Sequence, residues 1–167
     1  IQASSQSALQ PTIHQEQSEY YEQLGDQPIY FYDSLMGYRY QPIQNNDRNC
    51  TLDRIVFGWH PYWVGSAYTN YDWSLLSDFS FFSYQVDANT GNPTTTHGWA
   101  TSPAVDMALA NGVRVNLCVT LFSNLSTFLS NATSRQTLIT NLINLVQSRG
   151  AHGVNIDFEG IPSSQRN

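Results

Sequence analysis

Past residue 53 the chain alternates short runs of β-branched and aromatic residues with amphipathic helical stretches, and this repeat restricts its fold more than any other feature. Ile55-Val56-Phe57-Gly58-Trp59 predicts a buried strand ended by His60-Pro61. Tyr71 to Leu76 reads as a turn with a short helix, and Phe79 to Val86 as a second strand closed by the turn cluster Asp87 to Pro93. Ser102-Pro103 opens a helix through Ala110, because proline is tolerated at the first helical position, and Gly112 stops it. Val113 to Phe122 predicts a third strand. Thr133 or Ser134 is expected to cap a helix running to Arg149, with Leu138, Leu142, Leu145 and Val146 as its apolar face and Gly150 as its end. A fourth strand follows, from Gly153 to Glu159.

Strands separated by helices imply parallel pairing with helical crossovers. An open doubly wound sheet and a (β/α)8 TIM barrel both satisfy that order. No glycine-rich phosphate loop leads from Gly58 into a helix, which weakens the dinucleotide-binding version of the open sheet. A full barrel takes about 250 residues. The expected fold is therefore α/β, with residues 53–167 covering about the first four β/α units of a barrel and residues 1–52 forming a separate leader.

That leader is rich in Gln and Ser, then in Tyr. Ile1 to about Pro11 is expected to be flexible, His14 to Leu24 to form a short helix, and the aromatic-rich remainder to pack irregularly on the domain. The net charge of -6 and the absence of Lys leave no basic stripe, which argues against nucleic acid as a partner. No apolar run approaches the roughly 20 residues of a membrane span. Low charge and abundant Asn, Gln, Ser and Thr fit a secreted or cell-surface protein. Asn49-Cys50-Thr51, Asn124-Leu125-Ser126 and Asn131-Ala132-Thr133 match the glycosylation sequon, which has no meaning in a bacterial source. Cys118 lies in an apolar strand pattern and reads as a buried thiol, and the two cysteines show no metal-ligand spacing.

The fourth strand carries the chemistry. In Val154-Asn155-Ile156-Asp157-Phe158-Glu159, apolar and polar residues alternate, so one face packs against helices while an amide and two carboxylates share the other. Sites in parallel α/β folds form at the C-terminal ends of strands, where Glu159 stands. Two carboxylates in a partly buried place do not both ionise easily, and a carboxyl group held protonated near neutral pH can act as a general acid. On these residues alone, Mg²⁺ binding and a structural role remain open for the pair.

The run His152-Gly153-Val154-Asn155-Ile156-Asp157-Phe158-Glu159 resembles the D-G-x-D-x-D-x-E signature of glycoside hydrolase family 18, the chitinase-like family. Gly153, Asp157, Glu159 and the apolar spacers match; Asn155 and His152 replace two aspartates. Val56-Phe57-Gly58-Trp59 with Pro61-Tyr62-Trp63, and Phe82-Ser83-Tyr84, also look like the family's first two strands. The resemblance implies a retaining, substrate-assisted hydrolase of β-1,4-linked N-acetylglucosamine polymers. Glu159 would be the acid, Asp157 the partner of the substrate's acetamide, and Asn155 a support bonded to Asp157. Trp59, Tyr62 and Tyr84 would bind sugar. It implies no cofactor and no metal. Asn-Ile-Asp-Phe-Glu is also similar to members acting on bacterial cell-wall or spore peptidoglycan, so both substrates stay open, as does a sugar-binding member without catalysis. His152 and His60 are expected to be structural, and an isolated half-barrel is expected to be inactive.

Overall fold

A computed structural model describes residues 11–24, 52 and 54–166. The expected flexible leader up to Ala8 and Gln10, the aromatic stretch around Tyr30 and Tyr38, and Cys50 lie outside the described residues. Helix α1 spans Ile13–Leu24. Four strands, β1 (Phe57–Pro61), β2 (Asp78–Val86), β4 (Arg114–Leu121) and β5 (Gly153–Phe158), form a parallel sheet in that spatial order. A short strand β3 (Pro93–Thr95) pairs antiparallel with β2. Helices α2 (Pro103–Ala110), α3 (Leu125–Ser130) and α4 (Ala132–Ser148) make the crossovers. The chain thus builds a partial (β/α) barrel.

The parallel register sorts residues into rows that share a face. His60, Phe81 and Leu117 form an outer row, turned toward the helices, with Phe79 and Val115 beside it. They enter a core with Val105, Leu138 and the fully buried Trp99, whose indole N–H donates to the Leu145 carbonyl at 3.1 Å and ties the segment before α2 to α4. On the inner face, Pro61, Phe82, Cys118 and Asn155 form one row. One layer closer to the C-terminal rim, Gln85, Thr120 and Asp157 form the next.

Between these two inner rows β2 carries a bulge. Phe82 pairs with Cys118 and Tyr84 with Val119, so Ser83 is the extra residue, and the peptide between Phe82 and Ser83 is cis. An inserted residue reverses the faces of everything after it.

Local chemistry explains most element ends. Pro103 occupies the start of α2, and Gly112 takes the left-handed conformation (φ 71°) that closes it. Helix α4 begins earlier than Thr133 or Ser134 would have it. Asn131 is the cap, its side-chain oxygen accepting from the N–H groups of both residues at 3.1 and 3.2 Å. The first strand also shifts: Ile55 and Val56 lie exposed ahead of β1. At the other edge, Val154 and Ile156 do not pack under a helix. They are 41% and 53% exposed, since β5 is an edge strand; α3 meets its outer face further on, where the Phe158 ring stands edge-on to Phe128 at 5.7 Å. Cys118 is a free, buried thiol, as expected.

Candidate functional site

The polar face of β5 looks inward, and its register lays the site out in depth. Asn155 stands opposite Cys118 and Asp157 opposite Thr120. Glu159 follows β5 directly rather than ending it, but its N–H still donates to the Leu121 carbonyl at 3.3 Å. The ladder therefore holds the backbone of Glu159 on the rim. The floor beneath is closed by Ser83 and Thr120, buried hydroxyls 3.2 Å apart.

Asp157 and Glu159 are only partly exposed, with 17% and 21% of their side chains open to solvent. Burial first, and then the charge of Asp157, raises the pKa of Glu159 above the usual carboxylate value; His14 works in the opposite direction. Asp157 Oδ2 and Glu159 Oε2 are shut off from solvent and accept no hydrogen bond among the described residues. A buried acceptor without a donor is costly, so this pair is arranged to meet an N–H or O–H group.

Asn155 departs from its expected role. Its amide contacts the Cys118 sulfur at 3.5 Å, and this is its one side-chain hydrogen bond among the described residues. It supports the floor of the site through β4 rather than through Asp157. Burial, chiefly, pushes the Cys118 thiol up to about 12, so that group stays protonated.

The aromatic residues divide. Trp59 lies on the inner face of β1, 52% exposed and 4.8 Å from the Phe57 ring. Tyr62 sits just beyond β1, stacked on His97 with ring centres 3.6 Å apart. Burial and the nearby Glu22 carboxylate push its hydroxyl up to about 12. Tyr84 does not reach the cleft. The bulge turns it outward, where it is fully buried and its hydroxyl donates to the Gly91 carbonyl at 2.8 Å. Gln85 takes the inner place instead.

Two contributors escaped sequence reasoning: Gln85, hidden by the bulge, and His14 on α1. The His14 Nδ1 lies 3.3 Å from Asp157 Oδ2 and 3.2 Å from Glu159 Oε1. These three side chains offer ligand atoms within 4.8 Å of one another, the one such His and carboxylate group among the described residues that could hold a metal ion. His60 and His152 are structural, as expected. His60 is buried against Phe79, within 3.0 Å of the Tyr71 hydroxyl, and burial lowers it to about 4. His152 accepts the Val115 N–H at 3.0 Å, joining β4 to the turn before β5.

No protein-family model matches the chain, and no curated protein matches it. Solved structures do. A crystal structure of the spore cortex-lytic enzyme SleL of Bacillus cereus superposes with a TM-score of 0.56 at 18% identity, covering 66% of this chain and 28% of that one. A chitinase from Bacteroides thetaiotaomicron superposes with a TM-score of 0.57 at 19% identity, covering 65% of this chain and 37% of that one. The match therefore spans 28% to 37% of the length of these enzymes. Its parallel strands and crossovers have the fold of part of a TIM barrel, the fold shared with these two enzymes.

Proposed function

We propose that this chain carries the acid-bearing part of a family 18 glycoside hydrolase that cleaves β-1,4-linked N-acetylglucosamine polymers with retention of configuration. The observation that carries the reading is the carboxylate pair at the C-terminal end of β5. Glu159 is held toward its protonated form by burial and by Asp157, and its Oε2 accepts no hydrogen bond among the described residues. Glu159 gives its proton to the leaving glycosidic oxygen. Asp157 accepts the N–H of the substrate's acetamide, orienting the carbonyl oxygen that attacks the anomeric carbon and balancing the charge that develops. Water then opens the cyclic intermediate, with Glu159 acting as base, which restores the enzyme and retains the anomeric configuration.

Trp59 and Tyr62 supply apolar faces for sugar rings. Asn155 and Cys118 keep β5 in register under the pair. No cofactor is needed for this chemistry, and the substrate is an extracellular polysaccharide, in keeping with a secreted or surface protein of bacterial origin. A second reading, peptidoglycan as the polymer, is favoured by the Asn-Ile-Asp-Phe-Glu run and by the likeness to a spore cortex-lytic enzyme.

Replacing Glu159→Gln in the complete protein tests the assignment. It should leave binding of N-acetylated oligosaccharides in place and lower kcat by about 10³-fold or more, the loss expected when transition-state proton donation and charge stabilisation both go. Undiminished hydrolysis by that variant sinks the reading. Turnover of chitin against purified peptidoglycan then separates the two polymers.

A further inference from the structure

Helix α1 lies across the candidate cleft and touches it at both sides. At its first turn, His14 faces Asp157 and Glu159 on β5, with its ring edge-on to Phe82. At its last turn, Glu22 accepts a hydrogen bond from the side chain of Gln85 on β2, which also reaches Ser18 at 3.4 Å. Ser18, at the middle of the helix, is 3% exposed. The Tyr62 hydroxyl feels the Glu22 charge.

The dimensions agree. From His14 to Glu22 the helix advances about 12 Å at 1.5 Å per residue. Crossing from β2 over β4 to β5 takes about 10 Å at the spacing of neighbouring strands. The helix therefore fits the row Gln85, Thr120, Asp157 end to end.

Among the described side chains, the contacts named above that hold it are mostly polar. Its sequence, IHQEQSEYYEQL, has few apolar residues, and Ile13 and Tyr20 are exposed. The exchangeable hydrogen bonds and the contacts of His14 with the two carboxylates are modest individually, each equivalent to about a 2- to 10-fold change in an equilibrium constant. Such a helix can dock and leave.

We propose that α1 is an autoinhibitory lid, with His14 occupying the carboxylates that a sugar must reach, so that substrate and helix compete for one cleft. The proposal rests on the reading of that cleft as a sugar site. Opening the lid requires no chemistry, only the exchange of His14 and Glu22 contacts for contacts with sugar and water.

The test uses the complete protein and tri-N-acetylchitotriose as probe, with sugar affinity and amide hydrogen exchange of residues 13–24 as readouts. His14→Ala should tighten sugar binding about 3- to 10-fold and speed exchange in the helix. Bound sugar should speed exchange there in the wild type. A second variant fixes the lid in place: Glu22→Cys with Gln85→Cys, in a Cys50→Ser background, joined by a short bismaleimide, with buried Cys118 protected from the reagent. Joining the two should weaken sugar binding at least tenfold relative to the same variant left unjoined. Equal affinity in the joined and unjoined forms overturns the lid, as does His14→Ala with unchanged affinity. If no form binds the sugar, the reading of the cleft fails and the lid with it. Sugar bound equally by all forms removes the lid alone.

Discussion

Asp157 and Glu159 face the same way from the end of one strand, and the charge of the first helps keep the proton on the second. Burial contributes more, and His14 offsets both. The three effects have different signs, which makes them separable. Asp157→Asn removes an upward cause, so Glu159 ionises at lower pH and the basic limb of the kcat/KM profile moves down. His14→Ala removes a downward cause, so the same limb moves up. Displacements in the same direction for both variants would contradict the arrangement described here.

Metal removal gives an independent check on the chemistry. His14, Asp157 and Glu159 bring three ligand atoms together, so a metal-dependent reaction at the same carboxylates is a concrete rival. Proton transfer from Glu159 with acetamide assistance needs no ion. Dialysis of the complete protein against EDTA should leave its hydrolysis of N-acetylated oligosaccharides unchanged. Loss of turnover restored by Mg²⁺ would favour the rival.

Gly91 is where the loop after β2 meets the start of α4. Its φ is +76°, and a Cβ placed there would stand 1.9 Å from the Ser134 carbonyl oxygen and 2.8 Å from its carbon. Those atoms belong to helix backbone, which cannot swing aside. The left-handed conformation alone costs a non-glycine residue about 1–2 kcal/mol, and the overlap adds displacement of α4. Gly91→Ala should destabilise by about 3 kcal/mol or more in urea denaturation. Gly98→Ala is the control: its φ is +79° with nothing within 4 Å, so only the conformational cost applies.

Asn131 caps α4 by accepting from Thr133 and Ser134, and its amide donates to the Asn89 carbonyl at 3.3 Å. Asn131→Ala should cost about 1 kcal/mol, read from the same denaturation midpoint. Asn131→Asp retains the capping oxygen and should recover most of the loss. Recovery by Asp distinguishes a cap from a packing defect.

How much of this was legible in the sequence depends on the distance over which each determinant acts. Helix α2 could be read because Pro103 and Gly112 restrict their own backbones. The inward face of β5 could be read because alternation is a property of six consecutive residues. The start of α4 was less clear, since Asn131, Thr133 and Ser134 are all capable caps and their order in space decides among them. Helix α3 follows Asn124 in a left-handed conformation (φ 57°), a backbone choice that composition barely marks.

Tyr84 failed for a different reason. Strict alternation from Phe82 sends it inward; the ladder between β2 and β4 slips by one residue, and the slip leaves no trace in residue type. His14 was illegible in principle. Its meeting with Asp157 and Glu159 is a tertiary contact, and nothing in a polar helix foretells which carboxylates it will find.

Ser83 therefore behaves like a frame-setting base in a message. Upstream of it, β2 shows Phe82 to the cleft; downstream, the inward letters are Gln85 and the outward ones Tyr84 and Val86. Were the bulge straightened, with Ser83 taking the place opposite Val119, the strand would re-phase, pulling Tyr84 off the Gly91 carbonyl and turning Gln85 away from Glu22. One small residue thus decides whether the strand's end grips its own leader helix or offers a phenol to whatever enters the cleft.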